Sequence, residues 1–210
     1  VAGTSGISTQ DDALDLTAAG ALTVNQLIDT VAAVNGADVR LSASVVTLNQ
    51  DVLAGTTGSV RVNSAGGVTQ ALGADIIAAS LELLGTGNFV LNGAGNDVAT
   101  LAADVNGTLD YRGAGALVVG TVGATSGVST RDDAVTLTTG GALTLSQAVD
   151  TVDVAVGADV TVVSAGLVSA LANVTAGTGT VSVDSQAGVA QAGGTAITAA
   201  NLRLLGVGAF

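Results

Sequence analysis

Two pairs of adjacent carboxylates are the first candidates for chemistry in this sequence. Asp11–Asp12 and Asp132–Asp133 occur in closely similar segments, STQDDALDL and STRDDAVTL. Two carboxyl groups can divide the acid and base roles when a glycosidic bond is cleaved. Adjacent residues on a strand point to opposite faces, however, and both pairs precede a predicted strand, where Asp favours turns. We therefore interpret both pairs as structural.

The chain offers few other groups for catalysis. It contains no His, Cys or Lys, so only carboxylates, Arg, hydroxyls and Tyr111 remain. The absence of Cys also excludes disulfides and thiolate metal sites. We predict no catalytic, cofactor-binding or metal-binding residue, and no enzymatic activity.

One segment is similar to a metal-binding repeat. Residues 92–101, NGAGNDVATL, resemble the Gly- and Asp-rich nonapeptide of calcium-binding β-rolls. Those repeats share each ion between adjacent coils, whereas this segment occurs once. We interpret it as a turn; loose attraction of calcium to the sixteen Asp of the chain stays open as an alternative.

Charge and hydropathy limit the partners. Five Arg stand against seventeen acidic residues, a net charge of −12, which argues against binding to nucleic acid or to an anionic membrane surface. The chain is 48% hydrophobic, but Gly and Asp interrupt every apolar run before the roughly 18–20 residues needed to span a bilayer. We predict a packed soluble core and no membrane insertion.

An internal repeat organises the whole chain. Residues 1–89 recur as residues 122–210 at a constant offset of 121, with 42 of 89 positions identical. We predict a single elongated domain over 1–210, with copies at 1–121 and 122–210, the second truncated. The chain is expected to be a piece of a longer array.

Within each copy, the apolar residues alternate with period two. VTLTTGGALTL, residues 135–145, predicts two short strands around a Gly-Gly turn. Between the copies, Arg40 becomes Thr161 and Glu82 becomes Arg203, whereas the flanking positions stay aliphatic. Strands with one buried face behave in this way.

A finer period predicts the architecture. Corresponding aliphatic positions recur at short and similar intervals, and six such intervals fill one period of the long repeat. Five separate Leu101, Leu117, Val135, Val160, Val181 and Leu202, and the sixth leads from Leu202 to the position that corresponds to Leu101 in the next copy. Coils of roughly 20 residues predict an all-β fold, a parallel β-solenoid of about ten rungs. A short helix is the alternative for residues 75–85 and 196–206, which are Ala-rich and end in Gly.

One segment departs from the repeat. Residues 40–56 differ from residues 161–177 at all seventeen positions, and we expect the register to be kept across the segment. This divergence indicates either a diversified binding surface or drift on an outer turn, and we favour drift.

These repeats resemble the filamentous-haemagglutinin type of large secreted bacterial exoprotein. The resemblance rests on VTLTTGGALTLSQA (135–148), GGVTQA (66–71), GVAQAGG (188–194) and AANLRLLG (199–206). It implies a right-handed parallel β-helix, two-partner secretion, and service as an adhesin or surface fibre. The family's secretion domain carries Asn-Pro motifs, and this Pro-free chain has none, so the resemblance extends to the repetitive shaft alone.

The resulting prediction is a non-catalytic shaft at the bacterial cell surface or outside the cell. The alternative is a self-assembling filament, sheath or surface-layer protein, and a polysaccharide-active enzyme is a distant third. The expected partners are copies of the chain, end to end or side by side, and a host or surface glycan or protein bound through regions outside this segment.

Overall fold

A computed structural model describes residues 6–32, 35–154 and 156–210. This part of the chain is built of strands and turns and contains no helix long and apolar enough to cross a membrane. Nearly all the strands stack in parallel into two sheets, one of fifteen strands and one of nine, which form a β-solenoid with nine turns. The first two strand segments of each turn, called faces 1 and 2, lie in the larger sheet, and the third, called face 3, forms the smaller sheet. The predicted all-β solenoid is confirmed, with nine turns where about ten were expected.

The three faces follow one another along the chain in every turn. Face 1 contains β1 (Ile7–Ser8), β4 (Ile28–Asp29), the first parts of β7 (Val52–Ser64), β9 (Ile76–Thr86) and β11 (Asp97–Asn106), then β13 (Leu117–Val119), β18 (Leu143–Leu145), β21 (Val168–Ala170) and β24 (Val189–Gln191). β13 pairs with Thr100 and Leu101 of β11, where the two parts of that strand meet, so faces 1 and 2 adjoin there. Face 2 contains β2 (Leu14–Thr17), β5 (Val39–Ala43), the second parts of β7, β9 and β11, then β16 (Val128–Ser129), β19 (Val149–Asp150), β22 (Val174–Thr175) and β25 (Ile197–Thr198). Face 3 contains β3 (Ala21–Val24), β6 (Val45–Leu48), β8 (Val68–Gln70), β10 (Phe89–Leu91), β12 (Leu109–Gly113), β17 (Val135–Thr139), β20 (Val160–Ser164), β23 (Thr180–Ser185) and β26 (Asn201–Gly206). A short antiparallel hairpin, β14 (Thr121–Val122) and β15 (Thr125–Ser126), projects between β13 and β16.

The core is a stack of aliphatic columns, one position above another. On face 3 the inward column is almost wholly aliphatic and receives one member from each turn: Leu22, Val46, Val68, Phe89, Leu109, Val135, Val160, Val181 and Leu202. Its members from Val46 to Val181 are at most 1% exposed. Burying one such side chain contributes about 1.5–3 kcal/mol, so most of the stability lies in these columns.

The helical alternative for residues 75–85 and 196–206 is wrong. The first segment is strand β9, which pairs in parallel with β7 on one side and β11 on the other. The second forms β25 and β26. Pairing on both sides satisfies the backbone of β9 and buries Ile76, Leu81 and Leu83 completely, and this outweighs the weak helical preference of the Ala residues.

The 121-residue repeat does not hold a whole number of turns. Along face 3, five turns lead from Leu22 to Val135. The sequence counterpart of Val135, however, is Leu14 on face 2. One repeat therefore spans five turns and one further strand, and each copy-1 strand has its counterpart one face further on. The expected six coils were wrong because the step from Leu117 to Val135 is not a turn. Leu101 pairs with Val119, so the step from Leu101 to Leu117 is close to a full turn, whereas Val135 pairs with Leu109 and lies on face 3 of the same turn as Leu117.

Because of this shift, the two copies use the same residue types to build corners that lie at different places in the cross-section of the solenoid. Ser64 and its counterpart Ser185 are fully buried, and each donates its hydroxyl to the carbonyl three residues on, at 2.6 and 2.7 Å. The acceptors, Gly67 and Gly188, have φ of 95° and 91°, a conformation that favours Gly. The first corner joins face 2 to face 3 and the second joins face 3 to face 1.

The divergence of residues 40–56 is largely a shift of frame. The buried residues Val46, Leu48, Val52 and Ala54 correspond in position to Val168, Ala170, Val174 and Ala176, an offset of 122. The extra residue lies in the turn after β20, and the offset returns to 121 by β23. The expectation that register was unchanged across this segment was wrong, because a gapless comparison sets inward positions against outward ones.

Candidate functional site: an arginine–glutamate ladder

Charged side chains stack on the outer side of face 2. Asp15, Arg40, Arg61 and Glu82 are successive partners in the parallel ladder of β2, β5, β7 and β9. Each lies between two inward aliphatic residues, so alternation directs all four outward. Their exposure nevertheless differs: Arg40 is exposed, while the side chains of Arg61 and Glu82 are 39% and 4% exposed.

The β14–β15 hairpin buries Glu82. It contacts β9 and β11, and the Thr125 hydroxyl donates a hydrogen bond to Oε1 of Glu82 at 2.6 Å. The other carboxylate oxygen accepts from Nε of Arg61 at 3.2 Å. A Cβ on Gly123 would come within 3.2 Å of the same carboxylate, and Gly123 has φ of 59°. A buried carboxylate requires such partners, because desolvation otherwise disfavours its charge.

Three adjoining hollows meet at Arg40. One, of about 130 Å³, lies between Arg40, Arg61, Glu82 and the hairpin. A second, of about 300 Å³, extends along Arg40 and Arg61 to Asn63. The third, of about 190 Å³, lies beside Arg40 towards β2. Together they form a shallow groove with basic groups at its centre.

Asp11 and Asp132, the first residue of each carboxylate pair, accept backbone N–H groups at a corner. Asp11 and Asp132 both have positive φ, 70° and 69°. Oδ1 of Asp132 accepts backbone N–H groups from Gly157 at 2.8 Å and Asp153 at 3.1 Å. These two hydrogen bonds hold the pKa of Asp132 below its usual value, Gly157 contributing most. An acceptor committed to backbone donors in this way fits the structural interpretation.

The same kind of hydrogen bond, from a backbone N–H to a side-chain oxygen of Asp or Asn, recurs along the solenoid and accounts for much of the acidic composition. At least eight Asp or Asn side chains of the described residues accept a backbone N–H from the following turn: Asp11, Asp38, Asp51, Asp75, Asn88, Asp132, Asp159 and Asn173. Each bond ties one turn to the next where no ladder pairing is available. Hydrogen bonds to charged acceptors contribute about 1.5–3 kcal/mol when sheltered, and less at exposed corners.

The Gly-rich segment 92–101 is organised by an amide. Asn96 is fully buried, and its Oδ1 accepts hydrogen bonds from the backbone N–H of Ile76 and the side chain of Gln70, both at 2.7 Å. Its Nδ2 donates to the carbonyl of Arg112 at 2.9 Å. Among the described residues no three acidic groups lie together as a metal site. The arrangement agrees with the predicted turn.

Tyr111 lies in the core. Its side chain is fully buried, and its hydroxyl has no hydrogen-bond partner within the described part of the chain. Burial raises the pKa of Tyr111, with a smaller contribution from the charge of Asp97. The phenol is therefore held protonated and away from solvent, unsuited to act as a base.

The Arg61–Glu82 ion pair was not predicted from the sequence, although the spacing of the charged residues indicates it. Glu82 is the only Glu of the chain, and it follows Arg40 and Arg61 at equal spacing in the segments VRL, VRV and LEL. All three positions change in the second copy. A charged, evenly spaced trio confined to one copy indicates a local feature of the surface.

Comparison with known proteins adds no family. No family model, curated protein or solved structure matches this chain significantly. The resemblance to filamentous-haemagglutinin repeats therefore stays a prediction, and function has to be inferred from the residues themselves.

Proposed function

We propose that this chain is a length of non-catalytic shaft in an extracellular bacterial adhesin or surface fibre. The proposal rests on the uninterrupted nine-strand ladder of face 3, with its aliphatic column. At a strand spacing of about 4.8 Å, nine turns extend the molecule by roughly 40 Å. A continuous ladder of this kind resists bending and local opening, because each turn is paired above and below.

The chemistry of the surface supports a structural role. Most acidic groups of the corners are engaged with backbone N–H groups, as at Asp38, Asp51 and Asp75. The one strongly buried carboxylate, Glu82, is held by Arg61 and Thr125 and has no second carboxylate hydrogen-bonded to it among the described residues. This arrangement is unlike the paired acids of a glycosidase.

The location is tested by labelling cells. Antibodies raised against the purified chain should label the outside of intact cells of the source bacterium, or its culture medium. Labelling that requires permeabilised cells would contradict the proposal. In parallel, the chain should release no product from uronate polymers, and turnover at any steady rate would overturn the non-catalytic assignment.

A self-assembling filament is the second candidate, and the exposed strand β26 favours it. Among the strands of the described residues it pairs with β23 alone, and it leaves Leu202, Leu204 and Leu205 between 36% and 52% exposed. An unpaired apolar edge is a template for a further strand, either from another copy or from chain that continues beyond this segment.

Electron microscopy of the purified chain separates the two candidates. A shaft segment should give particles of fixed length at all concentrations. Concentration-dependent filaments would favour the assembling role, and a charged substitution such as Leu204→Asp should then abolish them, whereas Thr161→Asp on an outward position should not.

A further inference from the structure

Arg40 and Arg61 lie side by side, an unexpected pairing in so acidic a chain. They are direct partners in adjacent strands, where like charges repel. Arg131 shows the ordinary solution, an ion pair with Asp104 at 2.6 Å. Arg61 is paired with Glu82, but the side chain of Arg40 forms no ion pair or hydrogen bond within the described ranges. A basic group without an internal partner thus stands at the centre of a groove.

The donors around Arg40 suit an oxyanion. The Arg61–Glu82 ion pair uses Nε of Arg61, and a guanidinium has five N–H donors, so donors remain on Arg61. The two guanidinium groups are carried by strands about 4.8 Å apart. A planar guanidinium binds a carboxylate through two parallel hydrogen bonds.

The walls of the groove carry polar side chains that can bind hydroxyl groups of a ligand whose carboxylate lies on the Arg pair. Ser42 and Asn63 line the larger hollow beside the two Arg, and Ser59 lines the smaller one. These side chains donate and accept hydrogen bonds without adding charge. In a uronate sugar the ring hydroxyl groups lie close to the carboxylate, so one ligand can contact both the Arg pair and these side chains.

We propose that Arg40 and Arg61 bind the carboxylate of a uronate sugar within an otherwise neutral glycan. A single charge is specified because Asp15, Asp38 and Glu82 lie at the edges of the groove, and the chain carries a net charge of −12. This field repels densely charged polymers. The site adds a ligand to the proposed shaft and does not depend on where the shaft is located.

The test is a titration of the intact chain with methyl β-glucuronide, followed by NMR. The expected dissociation constant is about 1–10 mM for one exposed carboxylate site, with shifts centred on residues 38–42 and 59–63. Arg40→Gln should weaken binding about tenfold or more, and Arg40→Lys should restore it only partly, because Lys lacks the planar fork. Arg112→Gln, an exposed charge on face 3, is the matched control and should leave binding unchanged.

Three results of this titration would overturn the proposal. These are binding of neutral methyl β-glucoside as tight as that of the glucuronide, a loss of affinity in Arg112→Gln as large as that in Arg40→Gln, or the absence of saturable shifts in the folded parent chain. A densely sulfated tetrasaccharide should bind no more tightly than the glucuronide, and tighter binding would exclude the single-carboxylate site. Arg40 is exposed, so circular dichroism of Arg40→Gln should match that of the parent and confirm that any loss is local.

Discussion

Face 2 in turns 2 to 4 and face 3 in turns 7 to 9 are built from counterpart sequences, yet their outer surfaces differ. The first presents Arg40, Arg61 and the covered Glu82, and the second presents Thr161, Ser182 and Arg203 at the same ladder positions. Inward neighbours are aliphatic in both. The fold therefore constrains the inner residues, while the outer residues are free to acquire local chemistry.

The two regions also differ in how far neighbouring elements shield their strands from solvent. The β14–β15 hairpin covers Glu82, and β11 stacks on β9. In the other region β26 has a neighbour only on one side, and all six of its residues are exposed. Substitutions at counterpart positions can separate two contributions to stability: the position of a residue in the ladder and its shielding by neighbouring elements.

The largest effect is expected for a pair of counterpart core residues. Leu83→Ala should lower the free energy of unfolding by about 3 kcal/mol, since Leu83 is fully buried. Leu204→Ala should lower it by less than about 1 kcal/mol, because Leu204 is 39% exposed. Urea denaturation measures both, and equal losses would show that cover does not decide the contribution.

The next effect concerns the ion pair under the hairpin. Arg61→Gln should destabilise the chain by about 2 kcal/mol, because it leaves the buried Glu82 carboxylate with fewer partners; half-exposure of Arg61 keeps the loss below that of a fully buried pair. Amide exchange in residues 120–127 should accelerate. Ser182→Ala at the counterpart position should change neither quantity, and a comparable loss there would contradict the role of the hairpin.

A smaller, pH-dependent effect is expected at the Asp132 corner. Hydrogen bonds from Gly157 and Asp153 lower the folded-state pKa of Asp132, so its stabilisation is full above the unfolded-state pKa and is lost as pH falls through the folded-state pKa. The difference in melting temperature between the parent chain and Asp132→Asn should therefore shrink from about pH 5 to about pH 2. Melting-temperature curves of the parent chain and Asp132→Asn that stay parallel from about pH 5 to about pH 2 would refute the assignment.

The smallest effect is expected when outer residues are exchanged. Thr161→Arg combined with Ser182→Glu places an arginine–glutamate pair on face 3 without a hairpin, with Arg203 as the other ladder neighbour of the glutamate position. Its unfolding free energy should stay within about 0.5 kcal/mol of the parent value, since both side chains lie on the outer surface. A larger loss would show that the outer positions are less permissive than the two copies indicate.

Strands and turns were predictable from sequence because the period-two alternation survives in both copies. The turn count was not, because the step from Leu117 to Val135 looks like a short coil, whereas only ladder pairing shows that both residues belong to the same turn. The burial of Glu82 was also hidden. Its position in LELL indicates an outward side chain, and the hairpin that covers it lies two turns further along the chain.

The extra strand in each period gives the repeat a screw symmetry. Three periods would complete sixteen turns before an outer pattern returned to its original side, a rise of about 77 Å. In a tandem array of this period, any feature common to all copies would point in three directions in succession. A neighbour lying along any side of such a fibre would meet that feature at regular intervals, so lateral contacts would be available all round its axis.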